Sequence, residues 1–125
     1  MKFSKAKESL QAAEICFEQS LYNSAANRAY YAMFQAIAVS LDKAGFGKKQ
    51  WSHEGLQSTF SIALTRQRKI YPGNFTTYLC NALVQRNLAD YADVDISKKR
   101  VKRMLEWARE IVAKVEEVIS YEDAG

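Results

Sequence analysis

The sequence contains few residues that interrupt helices. Its 125 residues include one proline and five glycines, with 48% hydrophobic and 26% charged residues. This composition is typical of a globular protein, and it leaves few breakers for a fold of short strands and turns. The length suits a single domain over residues 1–125 and is too short for two domains of ordinary size. We therefore expect long helices around one core.

Features of metal sites, disulfide frameworks and membrane spans are also scarce. The two cysteines, Cys16 and Cys80, lack the spacing of a metal site, and His53 is the single histidine. The sequence has no phosphate-binding glycine loop, paired-carboxylate site or nucleophile elbow, so we expect neither metal nor cofactor. The chain start has no long apolar segment, and no later run reaches the ~18 residues of a membrane helix. We expect a cytoplasmic protein with reduced thiols and no membrane contact.

The net charge of +4 arises from 18 basic and 14 acidic residues, which is mild for a dedicated nucleic-acid binder. Basic residues form three local clusters, which are most simply explained as solvated helix faces but could also bind a polyanion. The clusters are Lys43, Lys48 and Lys49, then Arg66, Arg68 and Lys69, then Lys98, Lys99, Arg100, Lys102 and Arg103. The candidates for nucleic-acid or nucleotide contact are Arg66, Arg68, Lys69, Arg86, Lys98 and Lys99.

Apolar residues recur at three- and four-residue intervals along most of the chain, as amphipathic helices require. The second such segment is apolar around most of its circumference, which predicts a central helix. Asn23 or Ser24, Ser52, and Asn74 are predicted N-caps, and Ser97 begins the last helix. The predicted helices cover residues 3–22, 24–44, 52–68, 75–91 and 97–120. The sequence thus predicts an all-α, up-and-down antiparallel bundle of four or five helices.

Two predicted helices carry charges within apolar segments. Arg28 begins Arg28-Ala-Tyr-Tyr-Ala-Met-Phe, and Arg86 and Asp90 lie in Gln85-Arg-Asn-Leu-Ala-Asp-Tyr. A charge in a helical core is costly unless it is paired, and Asp90 could accept two parallel bonds from a guanidinium. We interpret Arg28, Tyr30, Tyr31, Arg86 and Asp90 as a buried polar network, with Arg28 held by Asp90 or its neighbours. This interpretation is preferred to a catalytic role.

Three segments together resemble a known family. Asn23 to Ala36, Ser52-His-Glu-Gly, and Arg86-Asn-Leu-Ala-Asp-Tyr resemble, in this order, motifs of the small stand-alone prokaryotic branch of the HEPN superfamily. The resemblance covers roughly residues 5–119. It implies a helical bundle and a homodimer that pairs across the faces carrying the arginine motif. It also implies a two-gene arrangement with a minimal nucleotidyltransferase, in which the HEPN protein is the toxin-like or RNA-directed member.

The resemblance is weaker for activity than for fold. Many HEPN proteins are metal-independent ribonucleases that use an arginine, four to six intervening residues and a histidine. Arg86 matches the arginine, but residues 87–93 contain no histidine. Tyr91 falls where the histidine could lie, yet a phenol with a pKa near 10 is a poor proton shuttle at neutral pH. The catalytic candidates are therefore Arg86, Asp90, Tyr91 and His53, and whether the protein is an enzyme stays open, with a leaning toward no.

The leading hypothesis is a binding or regulatory module that forms a homodimer and belongs to a toxin-antitoxin-like pair with a minimal nucleotidyltransferase. One alternative is a divergent metal-independent endoribonuclease that uses Arg86 with Asp90, Tyr91 or His53. The other alternative is a protein that binds nucleotides without turnover.

Overall fold

Five α-helices pack into an antiparallel bundle in a computed structural model that describes residues 1–93 and 95–124, with side chains as far as residue 121. The helices are α1 (Phe3–Glu18), α2 (Tyr22–Lys43), α3 (His53–Thr59), α4 (Asn74–Tyr91) and α5 (Lys98–Ala124), and a π-helix (Phe60–Gln67) continues α3. Within the described residues the chain forms no strand. The all-α bundle expected from the hydrophobic spacing is confirmed.

The second helix is the centre of the bundle. It packs against α1, α5, α4 and α3, and most of its residues from Ala25 to Leu41 are buried. Tyr30, Met33, Ile37 and Leu41 are fully buried, and each stabilises the fold by ~1.5–3 kcal/mol relative to full exposure. Alanines fill most of the remaining core positions of α2 and let its neighbours approach closely.

The connection between α1 and α2 differs from the predicted one. α1 ends at Glu18, and Ser20 adopts a left-handed conformation with φ of 61°, so that the Leu21 N–H reaches the Cys16 carbonyl at 2.8 Å. Among the described residues no side chain caps the start of α2. The predicted capping by Asn23 or Ser24 is wrong, because Asn23 binds the chain segment before α5. Its Oδ1 accepts from the Ile96 N–H at 3.0 Å, and its Nδ2 donates to Asp95 at 2.9 Å.

The third predicted helix, residues 52–68, has two parts. Ser52 is the predicted N-cap of α3, and its Oγ accepts from the Gly55 N–H at 2.9 Å. From Phe60 the helix widens, so that the Arg68 N–H reaches back to the Ala63 carbonyl at 3.1 Å. Phe60, Ala63 and Leu64 are buried at a spacing that an α-helix would also give, so this spacing could not reveal the wider turn.

The last two helices begin differently. Asn74 is the first residue of α4 rather than its predicted cap, and its Nδ2 donates to the Tyr78 hydroxyl at 3.0 Å. Ser97 does begin α5 as predicted, with its Oγ accepting from the Arg100 N–H at 3.2 Å. α5 buries Val101, Met104 and further residues of the predicted stripe. None of the described helices has the length and apolar character of a membrane span.

Candidate functional site

Polar and aromatic side chains gather on one face of α2, where the start of α3 and the second half of α4 approach it. The four α2 positions are spaced by three and four residues or are adjacent, so they project from one side of the helix. We call this group the Arg86 cluster, and its members are Asn27, Arg28, Tyr30 and Tyr31 of α2, His53 of α3, and Arg86, Asp90 and Tyr91 of α4.

Arg86 forms an ion pair with Asp90 in a partly buried position. The Arg86 Nε lies 2.9 Å from Asp90 Oδ2, and the two side chains are 14% and 22% exposed. The Nε–H is not directed at this oxygen, so the buried Nε makes no hydrogen bond within the described part of the chain. The Arg86 Nη2 donates to the Tyr31 hydroxyl at 3.2 Å. The pairing of Arg86 with Asp90 thus rests on charge more than on hydrogen-bond geometry.

Asn27 separates Arg28 from Asp90. The Arg28 Nε and Nη2 donate to Asn27 Oδ1 at 3.0 and 2.7 Å, and Asn27 Nδ2 donates to Asp90 Oδ2 at 2.9 Å. A neutral amide can bridge the two ions because it carries both an acceptor and donors. Among the described side chains, Asp90 accepts no parallel pair of bonds from one guanidinium, so that expectation is wrong. Arg28 makes no direct pair with Asp90 there and is held by a neighbour of Asp90, which is the second form of the prediction.

Tyr31 lies close to two guanidinium groups. The Cζ atoms of Arg28 and Arg86 are 5.2 and 5.4 Å from the centre of its ring. Each contact has the geometry of a cation–π interaction, which attracts the arginine to the ring, but the two cations repel each other. Within the described part of the chain, Asp90 is the one carboxylate bonded to this group. Two guanidiniums against one carboxylate leave the cluster with a net positive charge.

The geometry indicates that His53 is a neutral imidazole whose Nδ1 accepts a hydrogen bond. The Tyr30 hydroxyl lies 2.5 Å from this nitrogen, and His53 is its one partner among the described side chains. Burial raises the pKa of Tyr30 far above its ordinary value, with a further rise from Tyr31, so the phenol keeps its proton. Donating that proton to Nδ1 avoids a buried, unsatisfied hydroxyl. Burial and the nearby positive charge of Arg86 lower the pKa of His53, which keeps the ring neutral, and the bond accepted by Nδ1 then leaves the ring proton on Nε2.

Tyr91 belongs to an apolar surface beside the cluster. It is 75% exposed, and its ring centre lies 5.7 Å from the Arg86 Cζ. Val84 and Leu88, 54% and 42% exposed, precede it at three- and four-residue spacing on the same face of α4. With Asn87 and Ala92 they line a shallow, open depression of about 580 Å³. We call Val84, Leu88 and Tyr91 the α4 stripe.

The predicted basic candidates do not come together with Arg86. Arg68 donates to the Ala44 carbonyl at 3.2 Å and packs on Phe46, so the group of Arg66, Arg68 and Lys69 lies near the far end of α2. That end is ~25 Å from Asn27 at 1.5 Å per residue. Lys98 and Lys99 are exposed at the start of α5, which the Asn23 contacts fix to the near end of α2. Of the two groups, the one at the start of α5 shares an end of the molecule with the cluster.

A known family model covers this part of the chain. The family model of the HEPN domain matches residues 2–118, a span that includes all the cluster residues. The chain belongs to the HEPN family. A comparison with curated proteins gave no match. In this HEPN chain, no three His, Cys, Asp or Glu side chains of the described part are grouped to hold a metal ion.

Two contacts of the Arg86 cluster were not predicted from the sequence. Asn27, the bridge between Arg28 and Asp90, was not predicted, although its spacing before Tyr30 and Tyr31 places it on their face of α2. His53 lies in a sequence segment separate from those of Arg28 and Arg86, but it contacts Tyr30 and is affected by the charge of Arg86. No local pattern could predict that contact, because it depends on how α3 packs against α2.

Proposed function

We propose that this HEPN protein is an RNA-directed binding and regulatory module that acts as a homodimer and is controlled by a minimal nucleotidyltransferase. The observation that carries the proposal is the placement of Arg28 and Arg86 around the ring of Tyr31, with Asp90 as the one carboxylate bonded to this group among the described residues. A phosphate would relieve the repulsion between the guanidiniums, and arginine binds phosphate through two parallel donors. RNA supplies such phosphates in series.

The state of His53 supports binding rather than proton transfer. A general base needs an unprotonated nitrogen that faces the 2′-hydroxyl, and the unprotonated Nδ1 of His53 is already bonded to Tyr30. The protonated Nε2 can donate a hydrogen bond to a phosphate oxygen, but a neutral imidazole is too weak an acid to transfer that proton. The histidine would therefore help to hold the phosphate and leave the bond intact.

RNA binding measured by fluorescence anisotropy across a range of salt concentrations tests the proposal. Arg86→Met should weaken binding and lower the slope of log K against log salt by about 0.7 for one lost contact to a single strand. Arg66→Met is the matched control, since it removes an exposed arginine near the opposite end of α2 and should change binding less. Equal loss in both variants would indicate nonspecific attraction to the basic surface and would count against the Arg86 site.

The α4 stripe supports the homodimer. Three exposed apolar residues on one helix face are more than scattered surface apolar residues, and a self-complementary contact would cover them on both copies at once. Arg86 and Asp90 lie on the adjoining face of α4, so a twofold pairing along the stripe would bring two Arg86 clusters to the edges of one cleft. A strict monomer at micromolar concentration in analytical ultracentrifugation would contradict this part of the proposal.

The nucleotidyltransferase partner follows from the family resemblance and needs a direct test. The HEPN protein carrying an affinity tag should co-purify with a minimal nucleotidyltransferase encoded beside its gene. Mixing the purified partners should also reduce RNA binding, because a neutraliser must block or alter the RNA-directed surface. A neighbouring nucleotidyltransferase that neither binds the protein nor affects RNA binding would refute this pairing.

A metal-independent ribonuclease is the second candidate, favoured by the closeness of His53 to Arg86. Catalysis would require His53 to release its bond to Tyr30, so that Nδ1 could take the 2′-hydroxyl proton while Arg86 stabilises the phosphate charge. Purified protein would then cleave RNA in the presence of EDTA, and His53→Ala and Arg86→Met would each abolish cleavage. Intact RNA after incubation with protein at concentrations that saturate binding would exclude this candidate.

A further inference from the structure

A second cavity opens along the same face of α2, one to two turns beyond the Arg86 cluster. Its volume is about 350 Å³, which lies within the range of small-molecule pockets. Phe34 and Ala38 of α2 form one wall, and Trp51, which precedes the cap of α3, forms another. The cavity joins the cluster through Phe34, whose ring centre lies 5.4 Å from that of His53.

The chemistry of the cavity combines aromatic surface with positive charge. Trp51 and Phe34 offer half-buried rings, and the Lys48 ammonium lies 4.9 Å from the centre of the Trp51 ring. Lys49 adds a second cation at the rim, and Asp42 contributes a carboxylate. A planar ring that carries a phosphate would match the aromatic walls and the lysines together, because bases stack on aromatic side chains and phosphates pair with cations.

We propose that this cavity is a base-binding subsite for the nucleotide next to the phosphate held by Arg86. The subsite rests on the proposed function, since the same RNA strand would occupy both places. Tyr31 and Ala38 are seven residues apart on α2, which corresponds to ~10 Å along the helix. A neighbouring nucleotide spans this distance when the strand lies along the α2 face. The base stacks on Trp51 in the place of the Lys48 ammonium, which moves off the ring and pairs with the phosphate together with Lys49.

Asp42 gives the subsite a preference among bases. A carboxylate accepts hydrogen bonds from exocyclic amino groups, which adenine, cytosine and guanine carry and uracil lacks. The exposed Asp42 carboxylate lies at the edge of the cavity against Gly47, where a Cβ would clash with it. The subsite therefore favours the three bases with amino groups over uracil.

Trp51 fluorescence measures the proposal directly. The chain has two tryptophans, and Trp107 stacks on Tyr78 at 5.1 Å between α4 and α5, so Trp107→Phe leaves Trp51 as the single reporter. Adenosine, cytidine and guanosine 5′-monophosphates should quench its emission, uridine 5′-monophosphate should bind several-fold more weakly, and ribose 5-phosphate should have no effect. Asp42→Ala should reduce the difference between cytidine and uridine nucleotides to less than twofold. Quenching by ribose 5-phosphate equal to that by nucleotides would overturn the base site.

Binding of a short single-stranded RNA separates the subsite from the function on which it rests. Trp51→Ala should weaken binding by about 5- to 150-fold, the range for one base stacked on an aromatic side chain. Trp51→Phe keeps a ring and should remain within about threefold of the parent, which controls for a folding defect in the alanine variant. Binding that depends on Arg86 but is unchanged by Trp51→Ala would refute the subsite and leave the proposed function standing.

These experiments distinguish a free nucleotide from RNA as the occupant of the cavity. If free nucleotides quench Trp51 and RNA does not bind, the subsite is confirmed for mononucleotides and the proposed RNA function fails. If neither RNA nor any nucleotide affects Trp51, the subsite and the function are both refuted.

Discussion

Replacing Asp90 should destabilise the protein more than replacing Arg86, although the two side chains form one ion pair. Asp90→Ala leaves the Arg86 guanidinium, 14% exposed, without its counter-ion and with Tyr31 and Asn87 as neutral partners. Breaking a fully buried pair in this way costs about 3–5 kcal/mol. Because both side chains keep some solvent contact, we expect ~2–3 kcal/mol for Asp90→Ala.

Arg86→Met should cost much less. The hydrogen bond from a charged donor to Tyr31 is worth ~1.5–3 kcal/mol, and this is lost. The buried Nε of Arg86 has no hydrogen-bond partner in the described structure. Its removal therefore relieves ~1–3 kcal/mol of desolvation cost. Methionine keeps the apolar stem packed, and Asp90, which loses its counter-ion, is the more exposed partner at 22% and retains its bond from Asn27. The net cost should be ~0–1 kcal/mol.

Urea unfolding followed by far-ultraviolet circular dichroism measures both costs. All variants should be compared at one protein concentration, since dimerisation would make apparent stability depend on it. The double variant should resemble Arg86→Met alone, because Asp90 acts mainly through Arg86. If Arg86→Met cost at least as much as Asp90→Ala, Arg86 would be a structural latch, and the inference that its charge is kept for an anionic ligand would fail.

Three further changes test the stripe, the histidine and the segment before α5. Leu88→Glu should convert the proposed dimer to a monomer in analytical ultracentrifugation, whereas Ile62→Glu, at a similarly exposed apolar residue, should not. Lowering the pH from about 7 to about 5 should lower the unfolding free energy. The unfolded chain takes up a proton at the ordinary histidine pKa of about 6.5, whereas the pKa of His53 is lowered in the folded protein, so protonation favours the unfolded chain. His53→Asn should therefore reduce the dependence of the unfolding free energy on pH. Asn23→Ala should cost ~1–2 kcal/mol by freeing the Ile96 N–H, against less than ~0.5 kcal/mol for exposed Asn81→Ala.

The fold was predictable because helices with a clear apolar stripe need one buried face. The spacing in α5 and the nearly all-round apolar character of α2 were sufficient to predict an outer and a central helix. Ser52 and Ser97 were also predicted correctly as helix starts, since each hydroxyl accepts a bond from the backbone N–H three residues further along the chain. These interactions are local, so sequence alone contains them.

The failures concern side chains whose partners are distant in sequence or compete with them. Asn23 and Asn74 are good capping residues, yet Asn23 bonds to residues 95 and 96, and Asn74 bonds to the Tyr78 hydroxyl. Capping propensity describes the hydrogen-bond partner that a residue type has most often near a helix start. It cannot predict a partner that the tertiary fold brings close from another part of the chain. The π-helix was missed for a related reason, because Phe60, Ala63 and Leu64 have the same spacing in either kind of helix.

The sequence indicated which polar residues of the Arg86 cluster belong together, but not which of them are bonded to each other. Arg86 and Asp90 are four residues apart on one helix, so their contact follows from helical geometry. The sequence also indicated that Arg28 needed a polar partner, but it could not show that Asn27 would lie between Arg28 and Asp90. The contact of Tyr30 with His53 required the packing of α2 on α3 to be known.

The Arg86 cluster and the α4 stripe lie on adjoining faces of one helix, and each is unfavourable in a protein without a binding partner. The cluster partly buries excess positive charge, and the stripe exposes apolar side chains to water. The cluster holds two guanidiniums against one carboxylate, where a methionine in place of Arg86 would cost little stability. The stripe leaves apolar side chains in water that a solitary protein could replace with polar ones. Violations of this kind occur where a binding partner compensates for them. An anion would neutralise the cluster, and a second copy of the chain would cover the stripe. Both can happen in one complex, because pairing along the stripe would place one cationic cluster on each side of a cleft between the two copies.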